Sequence, residues 1–376
     1  MPVPVRLSFF FFAFFAQAGA FVSYFSLFLA ARGFSPGEIA LAVAMPQLAR
    51  IVAPMFWGWL ADAFNARRAI VVFAAFSYLG CYLALYVAQG PLAVALVLLV
   101  SGLLIAGAGP LAEAITLSAL QGRTERYGPI RLWGSIGFIL TVFGVGVWLD
   151  RHEVGGLLEI LVALSALTCA AALALPGGAP ARAPQAAARL GDVLGRGDVR
   201  AFFAACFCMS AAHGALYVFY TIYLEAAGYS KTVIGALWTL GVLAEIVLFL
   251  RLPQLLRRLT LRALLLASFA CAAARFLAIG WGVESLALLA AAQLLHAMTF
   301  GAFHACSVAA VHRLFAGPLE ARGQALFSMT TYGMGAAAGS LIAGWTWGAL
   351  GPTASFAVGA AFGALGGAFV LWRVRV

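Results

Sequence analysis

Apolar residues along this chain neither alternate nor keep to one side of a helical repeat. They come in twelve long continuous runs, cut by short polar, Gly or Pro punctuation. The runs cover roughly residues 7–31, 38–61, 69–88, 92–119, 128–149, 155–175, 201–225, 232–252, 263–282, 286–311, 323–348 and 353–372. A helix needs about 20 apolar residues to cross a bilayer. Only helices and closed barrels satisfy their backbone in lipid, and these runs are far too long for barrel strands. The pattern predicts an all-α membrane protein with twelve transmembrane helices. The first run, VRLSFFFFAFFAQAGA, imitates a signal peptide, but its apolar character continues through Leu29, so it reads as the first span.

Composition agrees. Of 376 residues, 64% are hydrophobic and 10% charged, where soluble domains run near 25% charged. One soluble core is excluded, and the partner of the surface is a lipid bilayer. The six cysteines lie in apolar stretches, and Cys206 and Cys208 match neither a zinc nor a redox spacing, so they read as small hydrophobes.

The net charge of +10 is a matter of topology. With the first residue inside, only Arg32, Arg151 and Lys231 fall outside and only Arg50 and Arg275 fall within spans, so the other eighteen of 23 basic residues lie on the inner side. That asymmetry predicts cytoplasmic termini and an inner (plasma) membrane location, and it accounts for the charge without nucleic acid. The Pro-, Gly- and Arg-rich stretch 176–200 reads as a cytoplasmic linker between halves 1–175 and 201–376, six spans each. The halves repeat at an offset of 195: Gly33/Gly228, Ser35/Ser230, Ile39/Ile234, Leu48/Leu243, Ala49/Ala244 and Ile51/Ile246 are identical, and Arg50 falls opposite Glu245. Two pseudo-symmetric six-helix bundles with a site at their interface, near the midplane, follow as the expectation.

The loop GWLADAFNARR, Gly58 to Arg68, resembles the loop signature of the major facilitator superfamily, with Asp62, Arg67 and Arg68 matching and Asn65 near where the family has Gly. The resemblance implies a conformational lock made by Asp62 and Arg67. YGPIRLWGSIGF, HGALYVFYTIYLEAAGYS, LWTLGVLAEIVLF and LLHAMTFGAFH resemble the phenylpropionate permease-like branch, related to lactose permease and the oligosaccharide:proton symporters. That resemblance implies substrate-binding roles for Glu113 and Arg131, and coupling roles for Glu245, Arg275 and His296. Thr299 stands where lactose permease carries its proton-bearing carboxylate, so analogy leaves the proton site open.

Ionisable groups within a span cost about 2.5–3.5 kcal/mol each even on lenient scales. Arg50, His213, Glu245 and Arg275 each fall about 12 residues, or ~18 Å, into a span. Arg50 and Glu245 are either an ion pair joining the halves, or a carboxylate-binding guanidinium with its counter-ion. Arg275 is expected to pair with Glu245. On span 10, Gln293, His296, Phe300 and His304 share one face, either as a hydrogen-bonded core stripe or as a proton relay. His213, Tyr217 and Tyr220 on span 7 and Trp238 on span 8 are either packing or the wall of an aromatic pocket, with His213 also a proton-coupling candidate. Tyr24 is a candidate cavity liner.

The expected function is proton-coupled uptake of a small organic anion such as an aromatic carboxylate, by a monomer without cofactor or metal. Sugar, nucleoside or siderophore import and proton-antiport efflux are the alternatives. A membrane enzyme would need a nucleophile–base pair or metal motif, and the chain carries no HExxH, GxSxG or Walker loop. A receptor would have no use for charge at the midplane.

Overall fold

The computed structural model describes residues 1–121, 123–177, 190–315 and 317–374. Arg182, Arg189, Arg375 and residues 178–189 of the 176–200 linker lie outside the described residues. The apolar runs fold as helices because a lipid-embedded backbone must satisfy its own N–H and C=O groups. These are α1 (Val3–Ala31), α2 (Pro36–Ala63), α3 (Arg67–Ala84), α4 (Gly90–Ala119), α5 (Tyr127–Leu149), α6 (Val154–Ala174), α7 (Gly197–Ala226), α8 (Lys231–Arg258), α9 (Leu261–Trp281), α10 (Leu286–Leu314), α11 (320–350) and α12 (Pro352–Trp372). All except α11 are apolar and long enough to span a membrane on composition alone. Polar residues such as Glu320, Arg322, Gln324 and Thr331 dilute the first half of α11, which nonetheless runs on as helix through Glu320–Ser328, Met329–Gly335 and Ala336–Leu350.

An even number of crossings brings both chain ends to one end of the molecule, the terminal end. In the first bundle α1 packs on α5 and α6, and α2 and α3 pack on α4. In the second, α12 packs on α9 and α7, α7 on α11, and α8 on α10. The bundles meet along α2–α11, α5–α8 and α1–α7.

The 195-residue repeat persists down to single hydrogen bonds. Gly33 and Gly228 both adopt left-handed φ (81° and 89°), a region open to Gly because it lacks Cβ. Each closes the same turn, through Gly33 N to Ala30 O and Phe34 N to Leu29 O, and through Gly228 N to Glu225 O and Tyr229 N to Leu224 O. Ser35 and Ser230 then cap α2 and α8 by accepting from Glu38 N and Val233 N.

Two helices of the first bundle are broken at mid-depth by proline. A proline ring clashes with the carbonyl four residues earlier. Pro54 therefore interrupts α2 at Arg50–Val52, and Pro110 interrupts α4 at Ala106–Gly107. In the second bundle α10 and α11 instead carry π-helical stretches, Ala297–Ala302 and Met329–Gly335, a distortion that concentrates at functional sites.

Opposite the terminal end the bundles are closed on each other. The Tyr24 hydroxyl lies 2.9 Å from Val142 O of its own bundle and 3.3 Å from Lys231 O of the other. Gly146 on α5 and Gly235 on α8 leave room for it; a Cβ on Gly235 would stand 2.7 Å from that hydroxyl. Thr221 Oγ1 donates to Ser23 O at 2.5 Å, and Asp150 accepts from Lys231 N at 2.6 Å and Thr232 N at 3.0 Å. Burial alone would raise the Asp150 carboxyl, but the hydrogen bonds from Thr232 and Lys231 outweigh it and hold it below the usual carboxylate range. Gly344 of α11 packs against Ala40 and Pro36 of α2 at the same end.

Gly214 and Gly339 make the α7–α11 crossing inside the second bundle, where either Cβ would overlap the other helix's backbone. Gly339→Val is expected to destabilise the protein by roughly 1–3 kcal/mol, read as a lowered midpoint of thermal unfolding in detergent. Gly348→Val, where a Cβ meets open space, should leave that midpoint nearly unchanged.

Candidate functional site

Arg275 is fully buried. Its Nη1 donates to Thr299 Oγ1 at 3.0 Å and His296 Nδ1 at 3.1 Å, with His213 Nε2 at 3.5 Å, and its Nη2 donates to Gln293 Oε1 at 2.9 Å. Among the described residues no carboxylate oxygen lies within 4.0 Å of it. The expected direct pair with Glu245 is not made: His296 stands between them, its Nε2 3.7 Å from Glu245 Oε2. A guanidinium suits this setting better than an ammonium because it is weakly hydrated and spreads its donors over a planar fork.

These contacts fix the imidazole protons. A guanidinium only donates, so His296 Nδ1 accepts and its remaining proton sits on Nε2, facing Glu245. His213 Nδ1 lies 2.8 Å from Met209 O and donates to it, leaving Nε2 as the acceptor toward Arg275 and Thr299. Both rings are neutral and face the cation with a lone pair.

Local backbone makes the cluster possible. The π-helical stretch of α10 begins directly after His296 and carries Thr299. Gly241 on α8 admits α10, since a Cβ there would lie 3.2 Å from Gln293 Oε1, and Gly301 leaves space for Glu245, whose Cγ would be 3.1 Å from its Cβ.

Arg50 is placed differently. It is the residue at which Pro54 breaks α2, and its side chain is exposed. The groups near enough to act on it electrostatically are Tyr78 from its own bundle and Tyr217 and Tyr332 from the other. Arg50 therefore faces the space between the bundles, and solvent reaches it there. No carboxylate lies within 4.0 Å of it among the described residues, Glu245 included. What it does have is the carbonyl end of the Pro36–Ala49 helix, whose partial negative charge favours a cation at the C-cap.

Glu113 and Arg131 are brought together, at 3.9 Å, with the guanidinium 4.0 Å above the Phe15 ring. Their side chains remain about half and one-third accessible. Arg131 also lies within electrostatic range of Glu245 and His304 across the gap. His304 Nδ1 is 2.8 Å from the Tyr332 hydroxyl. His296, Phe300 and His304 stack in sequence with ring planes 13° apart at each step. Tyr217 is half-buried and stacks on Trp238 and His213. Tyr220 is sealed beneath Trp238, Gln293 is spent on Arg275, and Tyr24 sits in the far-end closure. Asp62 and Arg67 pair at 3.0 Å within the first bundle.

Tyr78 and Tyr332 escape a reading of the sequence, and Thr299, noted there only as the residue in place of a carboxylate, was given no role. Thr299 and Tyr332 lie on distorted helix whose π turns leave no sequence period, and Tyr78 sits on a helix without charge at that depth. Pro54 was the available signal for Arg50, since it fixes where α2 breaks.

Residues 5–358 match the family model described as MFS_1 like family. The chain belongs to the MFS_1-like family of transporters. It is 30% identical over 361 residues to the probable 3-phenylpropionic acid transporter of Escherichia coli K12, covering 91% of this chain and 90% of that protein. It is 27% identical over 274 residues to the maltose permease of Geobacillus stearothermophilus, covering 72% and 69%. The crystal structure of the nucleoside transporter NupG shares the fold, with TM-score 0.84, 20% identity and 99% of both chains covered; a single-residue variant of it superposes with TM-score 0.90 at 18% identity over 100% of both. The protein is thus a multi-pass membrane transporter of small molecules, not an enzyme, and its twelve helices form the major facilitator fold.

Thr299→Val should leave Arg275 Nη1 short of its nearest acceptor and destabilise the protein by about 1–3 kcal/mol. Thr346→Val, a change of the same size in α11, removes a hydroxyl that bonds only Ile342 O, Ala343 O and Ser355 Oγ. It should cost less, and paired thermal unfolding curves compare the two.

Proposed function

We propose that this transporter imports a small organic anion, an aromatic carboxylate, together with a proton, across a bacterial inner membrane with both termini in the cytoplasm. The observation that carries the reading is Arg50: a mid-membrane guanidinium that solvent reaches, with no carboxylate of its own among the described residues, while Arg67 and Arg131 each have an acid partner. A bidentate carboxylate fits such a fork. Tyr217 and the stacked Phe300 offer aromatic surface on the opposite bundle for the rest of the ligand. The name of the relative at 30% identity, the probable 3-phenylpropionic acid transporter of Escherichia coli K12, points the same way.

Glu245 is the proton carrier in this scheme, and His296 hands the proton on. The two are 3.7 Å apart, and Glu245 keeps partial access to the cavity. Like charges brought into one cavity favour proton uptake. An anion arriving at Arg50 and the carboxylate of Glu245 share the gap between the bundles, so substrate binding draws a proton onto Glu245 and the loaded carrier moves with its charge compensated. Bundles 1–175 and 201–376, joined by the 176–200 linker, rock against each other around this site, and Asp62 with Arg67 steadies one of the end states.

Proteoliposomes with an imposed pH gradient test this. Accumulation of 3-phenylpropionate should follow the gradient, whereas accumulation of maltose or a nucleoside instead would replace the anion reading. Glu245→Gln should keep counterflow exchange and lose gradient-driven accumulation, and Arg50→Gln should weaken substrate binding at least tenfold. Accumulation by Glu245→Gln at the native level would remove that residue from coupling.

A further inference from the structure

The first turns of α2 and α8 begin alike and are finished differently. In α2, Pro36 has no N–H to satisfy, Ser35 accepts from Glu38 N, and Glu38 Oε2 accepts from Ser35 N at 2.8 Å. This is a complete capping box, and of the first three helical positions of α2 Gly37 alone keeps a leftover N–H. At the equivalent positions α8 has Lys231 for Pro36 and Val233 for Glu38. Ser230 still takes Val233 N, but the N–H groups of Lys231 and Thr232 are left over. Asp150 takes both, and Asp150 closes α5 in the opposite bundle.

We propose that Asp150 is a latch between the bundles: a borrowed cap whose bonds to α8 exist only while the far end is shut, and which sets how often that end opens during transport. An ionised carboxylate at a helix N-terminus gains from both the free N–H groups and the helix dipole. Opening the far end separates α5 from α8, returning two backbone donors and one carboxylate to water. The pseudo-symmetric counterpart of this seam, α2 on α11, has no such contact among the described residues. There the self-capped start of α2 meets Gly344, and the closure is apolar packing. The pseudo-symmetry is broken at the place where one seam is polar and releasable and the other is not. Lys231 Nζ pairs with Glu225 Oε1 at 2.8 Å within its own bundle, so the link across the seam is backbone to carboxylate.

Spin labels at Val87 and Leu350, exposed positions of opposite bundles at the far end, report the opening as a distance distribution in a background without the native cysteines. Asp150→Asn should raise the far-end-open fraction roughly fivefold. Lys231→Pro removes one of the two donors while placing proline at the first helical position, where it is well tolerated, and should shift the same fraction in the same direction by a smaller factor. Asp150→Glu should restore part of the closed population. Transport kinetics should follow, with a changed maximal rate and a substrate half-saturation that moves only as the populations do. Unchanged distance distributions in both Asp150→Asn and Lys231→Pro would overturn the latch. So would a shift in Asp150→Asn alone with Lys231→Pro at the native distribution, which would mark Asp150 as acting through something other than the α8 amides. Because the distances are measured without substrate, a failed latch and a failed substrate assignment are told apart.

Discussion

A guanidinium buried in the second bundle without a carboxylate beside it governs the arrangement around it. Arg275 can be tolerated there only if neutral acceptors surround it, and that demand dictates the side-chain chemistry of three helices. It requires two imidazoles in defined tautomers, a hydroxyl at Thr299, and a glutamine whose amide oxygen faces inward. It requires Gly241, so that α10 can approach α8. It also settles the state of His296, whose remaining proton faces the one acid near it, Glu245. The second bundle holds its charge network in a buried form, with both terminal nitrogens of Arg275 bonded and its Nε left without a partner among the described residues, and the Glu245 edge of that network reaches the cavity.

The first bundle treats its cation in the opposite way. Arg50 hangs at a proline-induced break, leaning on helix carbonyls and facing tyrosine hydroxyls. One arginine is consumed by the protein, and in the function proposed above the other is left for a ligand. This division of labour gives a transporter a fixed element and a responsive one at the same depth, and the space between them is where the bundles face each other.

Much of the fold was legible because lipid imposes a simple rule on composition: apolar runs of the right length, with basic residues gathered on one side. The repeat was legible too, and its Gly–aromatic–Ser entry proved to encode the same turn twice. The pairing of charges was not. Depth along a helix says that Arg275 and Glu245 share a level, but the rotation that puts His296 between them depends on a π turn, which leaves no period in the sequence. Tyr24 and Tyr220 look like cavity residues by type and position; which face of a helix ends up sealed depends on glycines of neighbouring helices, Gly146 and Gly235 for Tyr24, and on Trp238 for Tyr220. Asp150 carries no motif at all, since its partner is a pair of backbone amides 81 and 82 residues away.

The π-helical stretch of α10 amounts to one residue inserted into an α-helix. Losing one residue of this stretch that carries no site side chain, Ala297 or Ala302, would let the backbone relax to regular α-helix with every main-chain bond still made. Yet it would turn the two halves of α10 against each other by about 100°, uncoupling the phase of His304, and with it the His304–Tyr332 contact, from that of Gln293 and His296. A chain of this family one residue shorter there could keep every functional side chain in its sequence and still present them to different neighbours.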